Sequence, residues 1–219
     1  MRKCKNNIKN ISANEAREYL DFITNTLTEL IINKQIYLDV HNALIVQKAK
    51  NNMFVSWMMR NYYQILVLNL CKLVEPKQAD DDRKTLKHFI NLCKEPSNWN
   101  TIKSARFAAK QYITDIDTGE ILDLDLSYEI NQIFENIDFE TDLIKVENIH
   151  QRLKPYRDKE ISHLTEINNV RDLSFKELHS FIDDIEEIMK KYYRMFGTAI
   201  IFDNLKTPNF YFNFSLNLR

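Results

Sequence analysis

The chain has 219 residues, of which 44% are hydrophobic and 28% charged, a balance typical of globular proteins with a substantial core. It contains only two glycines and four prolines, which favours long helices and excludes the glycine-rich loops of Walker and Rossmann phosphate sites. Because the formal net charge is −1, any contact with nucleic acid has to come from a local basic patch.

Cysteine usage and hydropathy indicate a cytoplasmic protein without membrane contact. Cys4, Cys71 and Cys93 form no CxxC pair, which favours small core residues in a reducing compartment over a disulfide framework or a metal site. The polar segment 1–10 lacks the apolar centre of a signal peptide. The longest purely aliphatic run, 65–68, is too short to cross a bilayer.

The N-terminal part is predicted to form two long helices. Ser12 and Glu15 have the spacing of a capping box, and the helix that they begin extends toward Ile45. Residues 53–74 are apolar on nearly every side, as expected of a central, buried helix. The Glu-Pro pair at 75–76 ends that helix, because the residue before a proline avoids the helical region.

The middle of the chain is predicted to hold shorter elements. The acidic run in 77–83 has no converging ligands nearby and is expected to be a surface loop rather than a metal site. Residues 85–94 have helical spacing, and Ser97 is expected to open a further helix through Phe107. In 112–126 leucines alternate with aspartates after a turn, which indicates a small β-hairpin inserted between helices.

The C-terminal part is predicted to be helical up to a strand-like tail. Residues 127–154 have helical spacing, and a second capping box, Ser174 with Glu177, begins the most clearly amphipathic helix. In the tail 207–219, large apolar residues occupy every second position from 210 to 218, which indicates a strand. This strand is expected to pair with the hairpin, or alternatively to extend a sheet of a second subunit or partner. We expect a single, predominantly all-α domain over 1–219.

The stretch from Pro155 to His163 combines an arginine, two acids and a histidine. Pro155 is expected to begin a new helix, since the first helical position needs no N–H donor. Helical spacing places Arg157 near the middle of the inward stripe and His163 near its margin. An arginine that points inward needs an anion or dense hydrogen bonding, because an unpaired buried charge is costly.

Arg157-Asp158 followed by four residues and His163 resembles the Arg-polar-x4-His signature of HEPN domains (higher eukaryotes and prokaryotes nucleotide-binding). The chain is similar to abortive-infection (AbiU-like) HEPN proteins over about residues 10–200. The resemblance implies an antiparallel helical bundle and a homodimer with a composite active site. It also implies a ribonuclease that works without metal or other cofactor.

Arg157 and His163 are the residue types that metal-independent RNA cleavage requires. When the 2′-hydroxyl of RNA attacks the adjacent phosphate, histidine can carry the proton steps, because its pKa lies near neutrality. The arginine fork can hold two phosphate oxygens and never deprotonates. Six residues of helix separate the two side chains by about 9 Å of rise and about 120°, so a two-fold dimer is needed to gather both types around one phosphate.

Three neighbours of the pair are candidates for supporting roles: Asp158, Tyr156 and Glu160. Asp158 is a candidate for orienting Arg157 or a histidine, with a first-turn acid favoured by the helix dipole as the alternative. Tyr156 shares a helix face with Glu160 and His163 and is a candidate contact to a base or phosphate, with packing as the alternative. Three basic residues are candidates for holding the RNA backbone, with solvated side chains as the alternative: Arg152, Lys154 and Lys159.

The leading hypothesis is therefore an endoribonuclease that acts on RNA in phage defence or as a toxin, controlled by an antitoxin or defence partner. Thr165 stands where HEPN toxins modified by a partner nucleotidyltransferase carry tyrosine, so that control is not expected. One alternative is a non-catalytic HEPN-like module that binds nucleotide, RNA or a partner protein. The other is a helical scaffold in which Arg157 is ion-paired with a core acid and the Arg–His pair is incidental.

Overall fold

A computed structural model describes residues 11–46, 53–76, 84–105, 112–114, 121–123, 134–162 and 173–196. The helices are α1 (Ala13–Val46), α2 (Met53–Val74), α3 (Leu86–Lys94), α4 (Trp99–Ser104), α5 (Phe139–Ser162) and α6 (Phe175–Met195). A short 3-10 helix, Pro96–Asn98, precedes α4, and residues 134–136 are also helical. The fold is all-α as predicted, apart from one small hairpin.

The helices pack antiparallel, as pairs of side-chain contacts show. Between α1 and α6, Thr24 Oγ1 lies 2.9 Å from Tyr193 Oη and Lys34 Nζ lies 2.6 Å from Asp183 Oδ1. The contact residue on α1 thus moves ten residues toward the C-terminus while its partner on α6 moves ten residues toward the N-terminus, so the two helices are antiparallel. Tyr37, nine residues before the end of α1, stacks on Tyr62, nine residues after the start of α2, with ring centroids 4.6 Å apart.

One hydrophobic core joins these helices, and α2 contributes to it through contacts with α1, α3, α5 and α6. Helix α3 lies antiparallel to α5, because Lys87 pairs with Glu147 and Lys94 pairs with Glu140. The largest fully buried side chains come from α1, α2, α3, the segment before α5, and the C-terminal end of α6: Leu20, Ile23, Leu27, Leu30, Leu66, Leu70, Phe89, Phe134, Tyr192, Tyr193 and Phe196. In the described part of the chain, no helix has both the length and the apolar content that a membrane span requires.

Both predicted capping boxes are confirmed. The backbone N–H of Ser12 donates to the Glu15 carboxylate (3.0 Å), and the backbone N–H of Glu15 donates to Ser12 Oγ (3.1 Å). Ser174 and Glu177 make the same reciprocal pair at the start of α6. Each box satisfies two backbone N–H groups that a helix start leaves without an intrahelical acceptor.

Ser174→Ala should lower the free energy of unfolding by about 1 kcal/mol, because it removes the side-chain acceptor at the N-terminus of α6. Urea denaturation measures this loss. Ser180→Ala is the matched control, since Ser180 is an exposed residue inside α6 where alanine is a better helix former. An equal loss for both variants would show that the cap does not set the stability of α6.

The prediction that α2 is buried all round is wrong. Its core face carries buried residues such as Leu66 and Leu70, whereas Met53, Phe54 and Trp57 are 87%, 63% and 61% exposed. The sequence alone could not separate these two groups, because an exposed apolar side chain gives the same hydrophobic pattern as a buried one. Helix α2 is therefore apolar on two faces, and the described part of the chain covers one of them.

The prediction that Pro155 begins a helix is also wrong, since α5 runs unbroken from Phe139 to Ser162 with Pro155 inside it. A proline at this position removes one backbone hydrogen bond and crowds the carbonyl of residue 151. Packing outweighs that cost, because Leu153 and Tyr156 on either side are buried in the core. The helix instead begins at 139, where the Asp138 carboxylate accepts from the backbone N–H of Thr141 (3.0 Å), so the predicted helix 127–154 is interrupted at 137–138.

The predicted hairpin in 112–126 is confirmed in its paired part. Strands β1 (Tyr112–Thr114) and β2 (Ile121–Asp123) are antiparallel, and Ile113 lies opposite Leu122. The turn between them, the tail 207–219 and Phe107 lie outside the described residues. The pairing of the tail with the hairpin stays a prediction.

Candidate functional site

Arg157 lies on α5 beside the C-terminal end of α2 and is ion-paired there. Its Nη1 donates to Oε1 of Glu75, whose side chain is 9% exposed, whereas 28% of the Arg157 side chain is exposed. Arg157 is thus ion-paired with a nearly buried carboxylate, while part of its side chain lies in solvent. Glu75 is an anion of the kind that an inward arginine requires, and its pairing with Arg157 is the arrangement that the scaffold alternative anticipated.

The end of α2 fixes the position of Glu75. Its backbone N–H donates to the carbonyl oxygen of Cys71 (2.9 Å), so Glu75 completes the last helical turn. Pro76 follows and ends the helix as predicted. Because α2 packs against α5, this last turn places the Glu75 carboxylate against Arg157.

The guanidinium can hold more than one anion. It carries five N–H donors in a planar fork, so a carboxylate can occupy one edge while phosphate oxygens contact another. A charge-assisted hydrogen bond to Glu75 also limits the rotamers of the long Arg157 side chain. The arrangement is therefore suited to presenting a fixed cation to an anionic ligand.

Sequence reasoning missed Glu75 as a site residue and treated it only as the end of α2. A signal was present: α2 itself contains no acid, and Glu75 follows directly on its apolar run. A carboxylate at the end of a helix that enters the core needs a cation. Arg157 was the arginine predicted to point inward and to need an anion. The cation that Glu75 requires and the anion that Arg157 requires could therefore have been paired.

The second predicted catalytic residue, His163, lies outside the described residues. Helix α5 is continuous from Arg157 to Ser162, the residue before it. The backbones of Asp158, Lys159 and Glu160 lie on this helix, but their side chains are outside the described part of the structure. The predicted roles of these four residues therefore stay predictions.

Two other candidates are engaged in packing. Tyr156 is 6% exposed and belongs to the core, the arrangement that the packing alternative anticipated. Arg152 Nη2 lies 3.0 Å from Glu177 Oε1, and its guanidinium carbon lies 5.9 Å from the centroid of the Tyr156 ring. This pair links α5 to the capping box of α6. Lys154, in contrast, is exposed on α5.

His179 of α6 belongs to an aromatic cluster with Tyr37, Tyr62 and Phe175. Its Nε2 lies 2.7 Å from Tyr62 Oη, and its ring meets that of Tyr37 edge-on at 5.2 Å. Burial lowers the pKa of His179 from 6.5 to about 4, and the nearby Lys34 ammonium adds to this effect. The ring is thus neutral at physiological pH and holds the Tyr62 hydroxyl.

The stability of the protein should fall between pH 6.5 and pH 4 because of His179. In this range His179 binds a proton in the unfolded chain but stays neutral in the folded protein, so a lower pH favours unfolding. Partial exposure of the ring limits the loss to about 1 kcal/mol. Urea denaturation at both pH values should show a smaller loss for His179→Gln than for wild type; equal losses would contradict this role.

No group of three or more histidines, cysteines or acids lies close enough together to hold a metal ion within the described ranges. Cys71 and Cys93 are buried free thiols, as predicted for small core residues, and burial raises the pKa of Cys93. The acidic run 77–83 lies outside the described residues. The chemistry of the described site therefore centres on Arg157 and Glu75.

Comparison with known proteins identifies the family. The model of the family described as AbiU2 (HEPN_AbiU2) matches residues 13–209, which is most of the chain. No curated protein and no solved structure matches the chain. The match spans all the described helices, so it confirms the family that the sequence resembles. The chain belongs to the AbiU2 family of HEPN proteins, a family of the abortive-infection type.

Proposed function

We propose that this protein is a metal-independent endoribonuclease that acts in abortive infection, as a phage-defence enzyme or growth-arresting toxin. The observation that carries the proposal is the partly exposed Arg157 side chain, whose guanidinium is ion-paired with the nearly buried Glu75 carboxylate. Membership of an abortive-infection HEPN family supports the same conclusion. An arginine held in this way can bind a phosphodiester without first losing side-chain freedom.

In the proposed reaction the 2′-hydroxyl oxygen of a ribose attacks the adjacent phosphorus. His163 accepts the hydroxyl proton as the new O–P bond forms, and a histidinium returns a proton to the 5′-oxygen as its bond to phosphorus breaks. Arg157 stabilises the additional negative charge on the phosphorane oxygens. The products are a 2′,3′-cyclic phosphate and a 5′-hydroxyl.

We propose that two copies of the chain complete the site. On a helix that continues through residue 163, Arg157 and His163 of one chain would be separated by about 9 Å of rise, so a two-fold dimer would supply both residue types from each side of a shared cleft. Asp158 would orient the guanidinium or a histidine, and Glu75 would act as a positioning residue for Arg157. The chain would fold as one domain and be controlled by an antitoxin or other defence partner.

A non-catalytic binding module is the second candidate. The Arg157–Glu75 ion pair favours it over catalysis, because the carboxylate already compensates the guanidinium charge, and such a pair with a core acid is also what the scaffold alternative expected. Such a module would bind RNA or nucleotide through Arg157 and leave the phosphodiester intact. This candidate predicts that the protein binds RNA or nucleotide but does not cleave RNA.

Cleavage of a labelled RNA oligonucleotide in EDTA distinguishes the two candidates. We expect cuts that leave 2′,3′-cyclic phosphate ends, and no cut at a nucleotide whose 2′-hydroxyl is replaced by hydrogen. Binding without cleavage would favour the module. Cleavage that persists at the 2′-deoxy nucleotide would contradict attack by the 2′-hydroxyl.

A further inference from the structure

One side of α2 is an exposed, largely apolar stripe. We define the outer face of α2 as a set of six exposed residues spaced three to five positions apart along the helix, away from the buried Leu66 and Leu70. Its members are Phe54, Trp57, Arg60, Ile65, Leu68 and Lys72. Its four apolar members, Phe54 and Trp57 near the start and Ile65 and Leu68 further along, give the exposed apolar surface that marks a binding site on a folded chain.

The charge of α2 favours an anionic occupant. The helix contains no aspartate or glutamate, and its only charged residues, Arg60 and Lys72, both lie on the outer face. The whole chain, in contrast, carries a formal net charge of −1. A two-fold contact between two copies of this face would bring these cations together with no acid of α2 to compensate them, whereas a phosphate backbone would neutralise both.

The aromatic pair at the start of the face suits nucleobases. The rings of Phe54 and Trp57 lie nearly parallel, with centroids 5.9 Å apart and an interplanar angle of 29°. Both side chains are more than half exposed, so they present aromatic surface to solvent. Proteins that bind single-stranded nucleic acid combine such stacking surfaces with nearby cations that follow the backbone.

The outer face also leads to the candidate site. Trp57 and Glu75 are separated by 18 residues, which is about 27 Å along a helix. Lys72 lies between them, one turn before Glu75, and Glu75 holds Arg157. A strand that stacks on the aromatic pair and follows α2 toward its C-terminal end would bring a later phosphate to Arg157.

We propose that the outer face of α2 binds single-stranded RNA, with bases on Phe54 and Trp57 and phosphates at Arg60 and Lys72. The face then acts as a track that guides the strand to Arg157. That this strand is a substrate rests on the proposed ribonuclease function, whereas binding to the face can be measured without cleavage.

Fluorescence anisotropy with a labelled 2′-O-methyl RNA of about ten nucleotides tests this binding, since the blocked 2′-hydroxyl prevents cleavage. The double variant Phe54→Ala/Trp57→Ala should bind at least about tenfold more weakly than wild type. Arg60→Gln and Lys72→Gln should each weaken binding and reduce its dependence on salt. Ile144→Ala is the matched control, because Ile144 is a 59% exposed apolar residue on α5, and it should leave affinity unchanged.

The outcomes separate this inference from the proposed function. Unchanged affinity in the double variant would overturn the inference, while cleavage of ordinary RNA by wild type would still support the ribonuclease. Weakened binding without any wild-type cleavage would support the track and contradict the enzyme. Light scattering that shows wild-type dimers and monomeric double variant would identify the face as an interface between copies and overturn the RNA track.

Discussion

Arg157→Ala should lower the single-turnover rate of RNA cleavage by about two to three orders of magnitude. The variant loses the cation that is proposed to stabilise the phosphorane, while His163 can still carry the proton steps. Arg157→Lys should recover only part of the rate, because an ammonium is a point charge and cannot hold two phosphate oxygens as the planar fork does. The measurement is the rate with protein in excess over a labelled RNA.

Arg194→Ala is the matched control for the loss of a positive charge. Arg194 is an exposed arginine in the last turn of α6 and should be dispensable for cleavage.

Mixing Arg157→Ala protein with His163→Ala protein should restore part of the activity if the site is shared between subunits, since a mixed dimer retains one residue of each type. Full activity of Arg157→Ala alone would remove Arg157 from the mechanism.

The Arg157–Glu75 pair should also show a coupling of about 1–2 kcal/mol in the free energy of unfolding. Arg157→Ala leaves the nearly buried Glu75 carboxylate without its guanidinium, which costs more than the loss of a surface pair. Glu75→Gln keeps the shape and removes the charge. In a double-mutant cycle the combined loss should be smaller than the sum of the two single losses.

The pair Lys34–Asp183 provides the comparison for this cycle. Asp183 is 53% exposed, so solvent screens the interaction and its coupling should stay below about 1 kcal/mol. Strictly additive effects of Glu75→Gln and Arg157→Ala would contradict a positioning role for Glu75. A loss of cleavage in Glu75→Gln that exceeds its loss of RNA binding would support that role.

Local features of the fold could be predicted from the sequence because their causes lie within a few residues. The Ser12–Glu15 and Ser174–Glu177 boxes depend on contacts between residues three apart, and both were predicted correctly. The end of α2 at the Glu-Pro pair follows from local sterics in the same way. The alternating leucines of the hairpin likewise predicted the strand β2 (Ile121–Asp123).

Features that depend on tertiary packing could not be predicted in this way. The break expected at Pro155 does not occur, because burial of Leu153 and Tyr156 outweighs the lost hydrogen bond inside α5. The exposure of Phe54 and Trp57 depends on which face of α2 its neighbours cover. Glu75 and Arg157 are 82 residues apart in sequence and meet only when α2 packs on α5. The need for an anion at Arg157 was predictable, but its identity was not.

The most direct test of the proposed function is cleavage of a mixed RNA pool in EDTA by wild-type protein and by His163→Ala at equal concentration. The proposed mechanism predicts cutting by wild type alone, with 2′,3′-cyclic phosphate ends, and a loss of about two to four orders of magnitude in the variant. Equal cutting by the two proteins would contradict the role of His163. Absence of cutting by wild-type protein that binds the pool would contradict the ribonuclease.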